Sequence, residues 1–258
     1  MNTYNINTWV DTILALNDRD ISSAKPLPSA LRIEAEDPLE VYYAPFDYIH
    51  RDARLVIVGI TPGRTQAVDA ILTARRALLE GLSSEEAARQ AKRSASFCGP
   101  MRANLVEMID FIGLTKWLGL SAARELFELD STLLHTTSAF RNPVFYRGVN
   151  YNCQVKLRRS SMLQRTAREI LGSELAALPK AAIVPLGPAA EEAVLYAMRE
   201  RHLDTSRVLA GMPHPSGANA ERVAYLVGRK CREGLSSKTN AEKLDRAREF
   251  LCSAVAAL

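Results

Sequence analysis

Leu55-Val56-Ile57-Val58-Gly59-Ile60-Thr61-Pro62-Gly63 is the stretch that decides the fold. Its apolar residues run on without alternation, and Val56, Ile57 and Val58 are β-branched. Such a run reads as a strand buried on both faces, the habit of a parallel sheet covered by helices. The Gly/Pro turn after it ends the strand at the carboxyl edge of the sheet, where open α/β folds bind their ligands.

Working outward, strand-like runs recur at residues 132–140, 181–186 and 208–210, with helical patterns between them. Residues 67–93 are rich in Ala, Leu and charge, with a break at Gly81 and a second helix capped by Ser83, where Glu86 completes a capping-box pattern. Residues 101–112, 161–178 and 189–201 read as further helices, and Asn240 is placed to cap a terminal one. In that last helix Leu244, Ala247, Leu251, Val255 and Leu258 share a face. Residues 6–16 carry a short helix, and residues 141–151 read as a loop. This alternation predicts an α/β fold, a three-layer α/β/α arrangement with a central, mostly parallel sheet of about four strands. One domain spans residues 1–258, with a helical N-terminal extension over 1–50 and a C-terminal helix over 240–258.

The bulk numbers agree. A chain of 258 residues with 47% hydrophobic content suits one large α/β domain, or at most two. The net charge of +4 permits nucleic-acid binding without demanding it. No apolar run is long enough to span a bilayer, and the start lacks a cationic segment before an apolar core, so a cytoplasmic protein without a membrane partner is expected. Cys98, Cys153, Cys231 and Cys252 have no close metal-ligand spacing; they read as ordinary thiols, and no metal site is expected.

A second informative segment is His214-Pro215-Ser216-Gly217-Ala218-Asn219. Proline on either side of His214 stiffens the loop and fixes the imidazole, the side chain best suited to donate or accept a proton near neutrality.

Taken in order, several segments resemble motifs of the uracil-DNA glycosylase superfamily. Gly59-Ile60-Thr61-Pro62-Gly63 is similar to its first motif. Phe97-Cys98-Gly99-Pro100 is similar to the segment that carries a base-stacking phenylalanine. Residues 133–143 are similar to the strand and loop that read the base, and His214-Pro215-Ser216 to the second motif. The likeness runs from Leu55 to about Val227.

The resemblance implies an enzyme that holds an extruded base and hydrolyses its bond to the sugar, without a cofactor. Its partner would be DNA, single-stranded strands included, or another nucleobase-containing ligand. His214 would donate to the leaving base, Phe97 would stack on it, and Ile60, Gly63 and Thr137 would line its pocket. Gly63 would leave room for a base with a 5-substituent. Thr61 stands where active relatives carry Asp, Asn or Glu; its hydroxyl can hold a water but cannot serve as a base. Pro62, Arg64, Arg141, Pro215, Ser216 and Asn219 would follow the strand, and Arg141, Arg147, Lys156, Arg158 and Arg159 form a basic stretch able to track phosphates. The close cysteine pair of the iron–sulfur branches is absent, so no cluster is expected.

Three other classes compete with this reading; a dinucleotide-binding protein, one of them, would need a Gly-x-Gly-x-x-Gly fingerprint after Val58, which is missing. A binding module could use the same pocket without cleavage, a reading that Thr61 and Thr137 favour. A hydrolase with Ser216 as nucleophile would need a strand–turn elbow that is missing.

Overall fold

The computed structural model describes residues 4–97, 99–128 and 131–258, so Cys98 lies outside the described residues. In chain order, α1 (Val10–Ala15) and α2 (Asp18–Ser23) precede β1 (Arg32–Glu36), β2 (Leu39–Tyr42) and β3 (Leu55–Gly59). Then follow α3 (Arg64–Leu79), α4 (Ser84–Ala95), α5 (Pro100–Phe111), α6 (Leu114–Leu118) and β4 (Leu134–Ser138). Next come β5 (Val144–Tyr146), β6 (Val149–Asn150), α7 (Ser161–Thr166), a π-helical turn at Ala167–Leu171 and α8 (Gly172–Ala176). The chain continues with β7 (Ala182–Pro185), α9 (Pro188–Glu200), α10 (Ala220–Leu226) and α11 (Ala241–Ala256). The fold is α/β, and no helix among the described residues is long and apolar enough to cross a membrane.

The chain divides into two interleaved compact units. The first comprises Met1–Ile49, Ile60–Ser96 and Thr137–Leu171; the second comprises His50–Gly59, Phe97–Thr136 and Gly172–Leu258.

In the first unit an antiparallel sheet runs in the order β1-β2-β5-β6. This sheet corrects two expectations: residues 1–50 are not purely helical, and residues 141–151 hold a hairpin rather than a loop. The charged residues of β1 survive in a strand because partners meet them. Arg32 pairs with Glu40 across the hairpin at 3.1 Å, Glu34 takes Arg165, and Glu36 accepts from Ser160 and Ser161. Tyr42 and Phe145 are buried on one face, where the Phe145 ring meets Tyr42 edge-on at 5.6 Å, and Val41 is buried on the other. Below the sheet, α3 and α4 meet along an alanine seam. Ala67, Ala70, Ala74 and Ala77 from α3 and Ala87, Ala88, Ala91 and Ala95 from α4 are all buried. Small side chains let two helix backbones approach closely, and Ser83 caps α4 by accepting from the Glu86 N–H, as the sequence predicts. The Glu86 carboxylate does not complete the box; Arg89 and Gln90 hold it instead and lower its pKa to about 2.

In the second unit β4, β3 and β7 form a three-stranded parallel sheet, its strands in that order, with β4 contributing its first three residues to the unit. Every residue of β3 is buried, as the unbroken apolar run requires, and Leu55 to Val58 pair in register with Ala182 to Pro185. The expected fourth strand at 208–210 shrinks to a single parallel bridge, Ile183 to Val208. In α11, Leu244, Leu251 and Val255 are buried, whereas Leu258 falls beyond the helix end and is half exposed. A buried His135–Glu174 pair lies among these elements, Nε2 to Oε1 at 2.8 Å, and the His50 N–H approaches His135 Nδ1 at 3.4 Å.

After the bridge the chain turns at Gly211, whose φ is +96°. A methyl group there would meet Ala247 Cβ at 2.9 Å and its Cα at 3.5 Å, so α11 packs directly on this turn. Gly211→Ala combines an unfavourable backbone angle with overpacking and is expected to cost about 2–4 kcal/mol. Gly217→Ala, with open space around it, should cost under about 1 kcal/mol. Urea denaturation of both variants beside the parent checks the contrast.

Candidate functional site

Thr61, Pro62, Gly63, Arg64, Thr137 and Arg141 belong to the first unit; Phe97, His214, Pro215, Ser216 and Asn219 belong to the second. The two sets differ in what their polar groups are doing.

In the first unit the turn after β3 is a structural clasp. The Thr61 hydroxyl donates to the Asn142 carbonyl at 3.2 Å and accepts from the Val144 N–H at 3.0 Å. Ile60 accepts from the Phe140 N–H at 2.9 Å, so the turn is stitched to residues 140–144 at several points. Pro62 is buried. The Arg64 guanidinium, expected to follow a strand, instead gathers the carbonyls of Ser22, Ala24 and Pro26. Its charge is spent on a backbone loop that would otherwise lack donors. Arg141 is likewise withdrawn, only 8% exposed, with Nη2 donating to the Tyr4 carbonyl at 2.8 Å. Of the basic stretch, Arg147, Lys156, Arg158 and Arg159 remain exposed.

Asn150 stands beside Gly63. A Cβ there would stand 3.5 Å from the Asn150 amide, which accepts from the Arg64 N–H through Oδ1. The Gly63 φ of −76° is ordinary, so turn geometry does not require the glycine. Thr137 is buried in β4. The sequence alone gives Asn142 no role, yet the residue is 1% exposed and, among the described residues, its Oδ1 has no hydrogen-bond partner. Arg141 Nε shares that condition. An Asn-Pro pair after a strand is too common to flag such an atom; only burial reveals it.

In the second unit Phe97, expected to stack on a base, packs into the core. It is buried with Leu105, Met108 and Leu126 in the apolar core, and its φ of +47° is a strained value for a side chain of this size.

His214 is held differently. Gly187, at φ +84°, turns the chain from β7 into α9 and brings its own backbone against His214: a Cβ on Gly187 would lie 3.6 Å from His214 Cβ. The Gly187 N–H donates to the Met212 carbonyl at 2.8 Å, and Asn104 in α5 donates to the Pro215 carbonyl at 2.8 Å. Beyond the histidine, Ser216 accepts twice from Asn219, through its carbonyl and its hydroxyl. These bonds fix both shoulders of the imidazole. The ring is then oriented by the Ser216 N–H, which donates to Nδ1 at 3.2 Å.

That bond decides the tautomer. With Nδ1 accepting, the neutral ring carries its proton on Nε2 and presents a donor there. Burial lowers the pKa of His214, so the neutral form persists at neutral pH. The imidazole lines a cavity of about 340 Å³ together with Gly187, Pro188, Met212 and Asn219. The site therefore offers a preset, uncharged hydrogen-bond donor on a rigid loop, suited to a group that gains negative charge.

The class defined so far is an α/β protein with a histidine loop after its parallel sheet. No family model and no solved structure matches the chain. The chain is 39% identical over 200 residues to YoxB of Bacillus subtilis (strain 168), an uncharacterized protein, over 76% of this chain and 78% of that one. It belongs to the YoxB family.

Two outcomes follow from this geometry. Thr61→Val strips the Val144 N–H of its acceptor and should cost about 1–3 kcal/mol in urea denaturation, whereas Thr61→Asn can replace both bonds and should stay near the parent. For His214, the folded protein binds the proton less readily than the unfolded chain. Its contribution to stability is complete above the ordinary imidazole value of about 6.5 and is lost as pH falls through the lower folded value. Two-bond ¹H–¹⁵N spectra across that range should show the Nε2–H tautomer and a midpoint below 6.5.

Proposed function

We propose that this protein is a DNA glycosylase-like hydrolase, which binds an extruded base, uracil or a 5-substituted or damaged relative, and cleaves its N-glycosidic bond. The observation that carries this reading is His214, neutral and oriented with Nε2–H as a donor on a loop stiffened at both ends. As the base–sugar bond breaks, its electron pair leaves with the base and the sugar becomes oxocarbenium-like. His214 would stabilise the departing anion by hydrogen bonding to a base oxygen. A water molecule then adds its hydroxyl to the sugar carbon, and its proton balances the charge on the base. The α/β fold with its parallel sheet is compatible with the three-layer α/β/α arrangement of the uracil-DNA glycosylase superfamily, and the order of the similar segments supports membership. The exposed cations Arg147, Lys156, Arg158 and Arg159 support a nucleic-acid partner, with affinity that falls as salt rises.

A second reading has its own observation. The Thr61 hydroxyl is engaged by two backbone groups, which leaves it little capacity to hold an attacking water. This favours a catalytically inactive module that binds a nucleobase in the same way without hydrolysis.

Single-turnover base release from single- and double-stranded oligonucleotides, across uracil and 5-substituted uracils, separates the two. In the enzyme reading His214→Ala lowers release by about 100-fold or more, the usual cost of losing a donor to a developing anion. Thr61→Asn should leave release at or above the parent level. If neither parent nor variants release any base while strands still bind, the module reading stands and the enzyme reading is withdrawn.

A further inference from the structure

The cavity that His214 lines has a second wall whose charge the leaving-base chemistry does not use. Arg222, Lys238 and Lys243 stand on it, against one carboxylate, Glu191. Glu191 is occupied, accepting from the Gly211 N–H at 3.2 Å. Among the described residues none of the three cations forms an ion pair. The Arg222 guanidinium donates only to neutral oxygens, Asn219 Oδ1 and the Lys238 carbonyl. Two other cations of the same unit are matched: Arg229 holds Glu107 at 2.6 Å and Lys230 holds Glu221 at 2.7 Å. All three are exposed, and cations gathered without partners attract an anion among them.

The backbone that carries the cations is also held in place. Glu221 in α10 gathers Lys230 Nζ, the Ser236 N–H and hydroxyl, and the Thr239 hydroxyl. These bonds pull its pKa well below the usual carboxylate range, so the clasp is ionised at any physiological pH. It anchors the segment that carries Lys238, and Arg222 Nη2 ties down the Lys238 carbonyl at 3.2 Å. Lys243 rides on the first turn of α11, which Asn240 caps. Two helix starts line the same cavity, that of α9 at Gly187-Pro188 and that of α11 at Asn240, and each adds partial positive charge. The volume of about 340 Å³ lies at the small end of the range for ligand pockets, enough for a phosphate with its sugar.

We propose that this cavity binds a phosphate group, with Arg222, Lys238 and Lys243 as its cationic partners. The group is either a free or terminal phosphomonoester or one phosphodiester of a strand. The assignment does not depend on base release, so it stands or falls separately from the glycosylase reading.

The test is binding of the full chain to four probes at low salt: inorganic phosphate, deoxyuridine 5′-monophosphate, and one short single strand with and without a 5′-phosphate. Calorimetry gives the affinities, and circular dichroism with thermal melting checks the fold of each variant. Lys238→Ala with Lys243→Ala should weaken every probe that binds by 10-fold or more. Lys238→Arg with Lys243→Arg, which keeps the charge, should stay within about 3-fold of the parent. Arg158→Ala, in the other unit, should leave inorganic phosphate unaffected. Equal binding of the two strands assigns the pocket to an internal phosphodiester; preference for the phosphorylated strand and the monophosphate assigns it to a terminal phosphate. The proposal is overturned if no probe binds, or if the folded double-alanine variant binds all of them as the parent does.

Discussion

A relay of backbone hydrogen bonds sets the position of everything that matters in the second unit. It begins with the parallel register of β3 and β7, Leu55 against Ala182 and Val58 against Pro185. It continues past the strand ends, where the Leu186 N–H donates to Val58 and the Gly187 N–H donates to Met212. A parallel branch joins the Leu209 N–H to Ile183. Buried peptide groups must pair, so the register cannot slip by one residue without orphaning several of them. The histidine loop inherits its place from this arithmetic. His214 sits two residues beyond the last bond, and its position is fixed by a sheet that it does not belong to.

The polar chemistry of the two units follows from where the unpaired backbone groups lie. In the first unit, irregular segments around residues 22–26 and 140–144 expose carbonyls and N–H groups that the sheet does not satisfy. Arg64 and Thr61 supply the missing partners and are thereby spent. In the second unit Asn104, Arg207 and Arg248 likewise serve backbone carbonyls, while His214 Nε2, Lys238 and Lys243 retain capacity for a ligand. The division of labour is a matter of hydrogen-bond supply rather than of residue type, since an arginine serves as scaffold in one unit and faces a cavity in the other.

This explains which features could be read in advance. The β3 run was legible because burial on both faces leaves an unmistakable local pattern, and the caps at Ser83 and Asn240 because a cap is a contact over three residues. The antiparallel sheet was not. Arg32-Ile33-Glu34-Ala35-Glu36 looks like a surface segment until Glu40, Arg165, Ser160 and Ser161 arrive from elsewhere in the chain. The uses of Arg64 and Arg141 depend on partners far away in sequence, and so do the neighbours of Phe97. Of the candidate site, the stiff loop around His214 was visible in its prolines, but the Ser216 bond that selects its tautomer was not. The cationic wall was invisible, because Arg222, Lys238 and Lys243 come from different elements that only the fold assembles.

The interleaving of the two units bears on how the chain is made. β3 leaves the ribosome long before β7, and between Leu55 and Ala182 the growing chain must cross from one unit to the other and back twice. At typical translation speeds of about 5–20 residues per second, that interval lasts roughly 6–25 seconds. For all that time one edge of an entirely apolar strand has no partner. Nascent chains in that state are natural clients for chaperones that shield hydrophobic strands, and overproduction faster than such shielding can act would send this protein towards inclusion bodies rather than towards a soluble product.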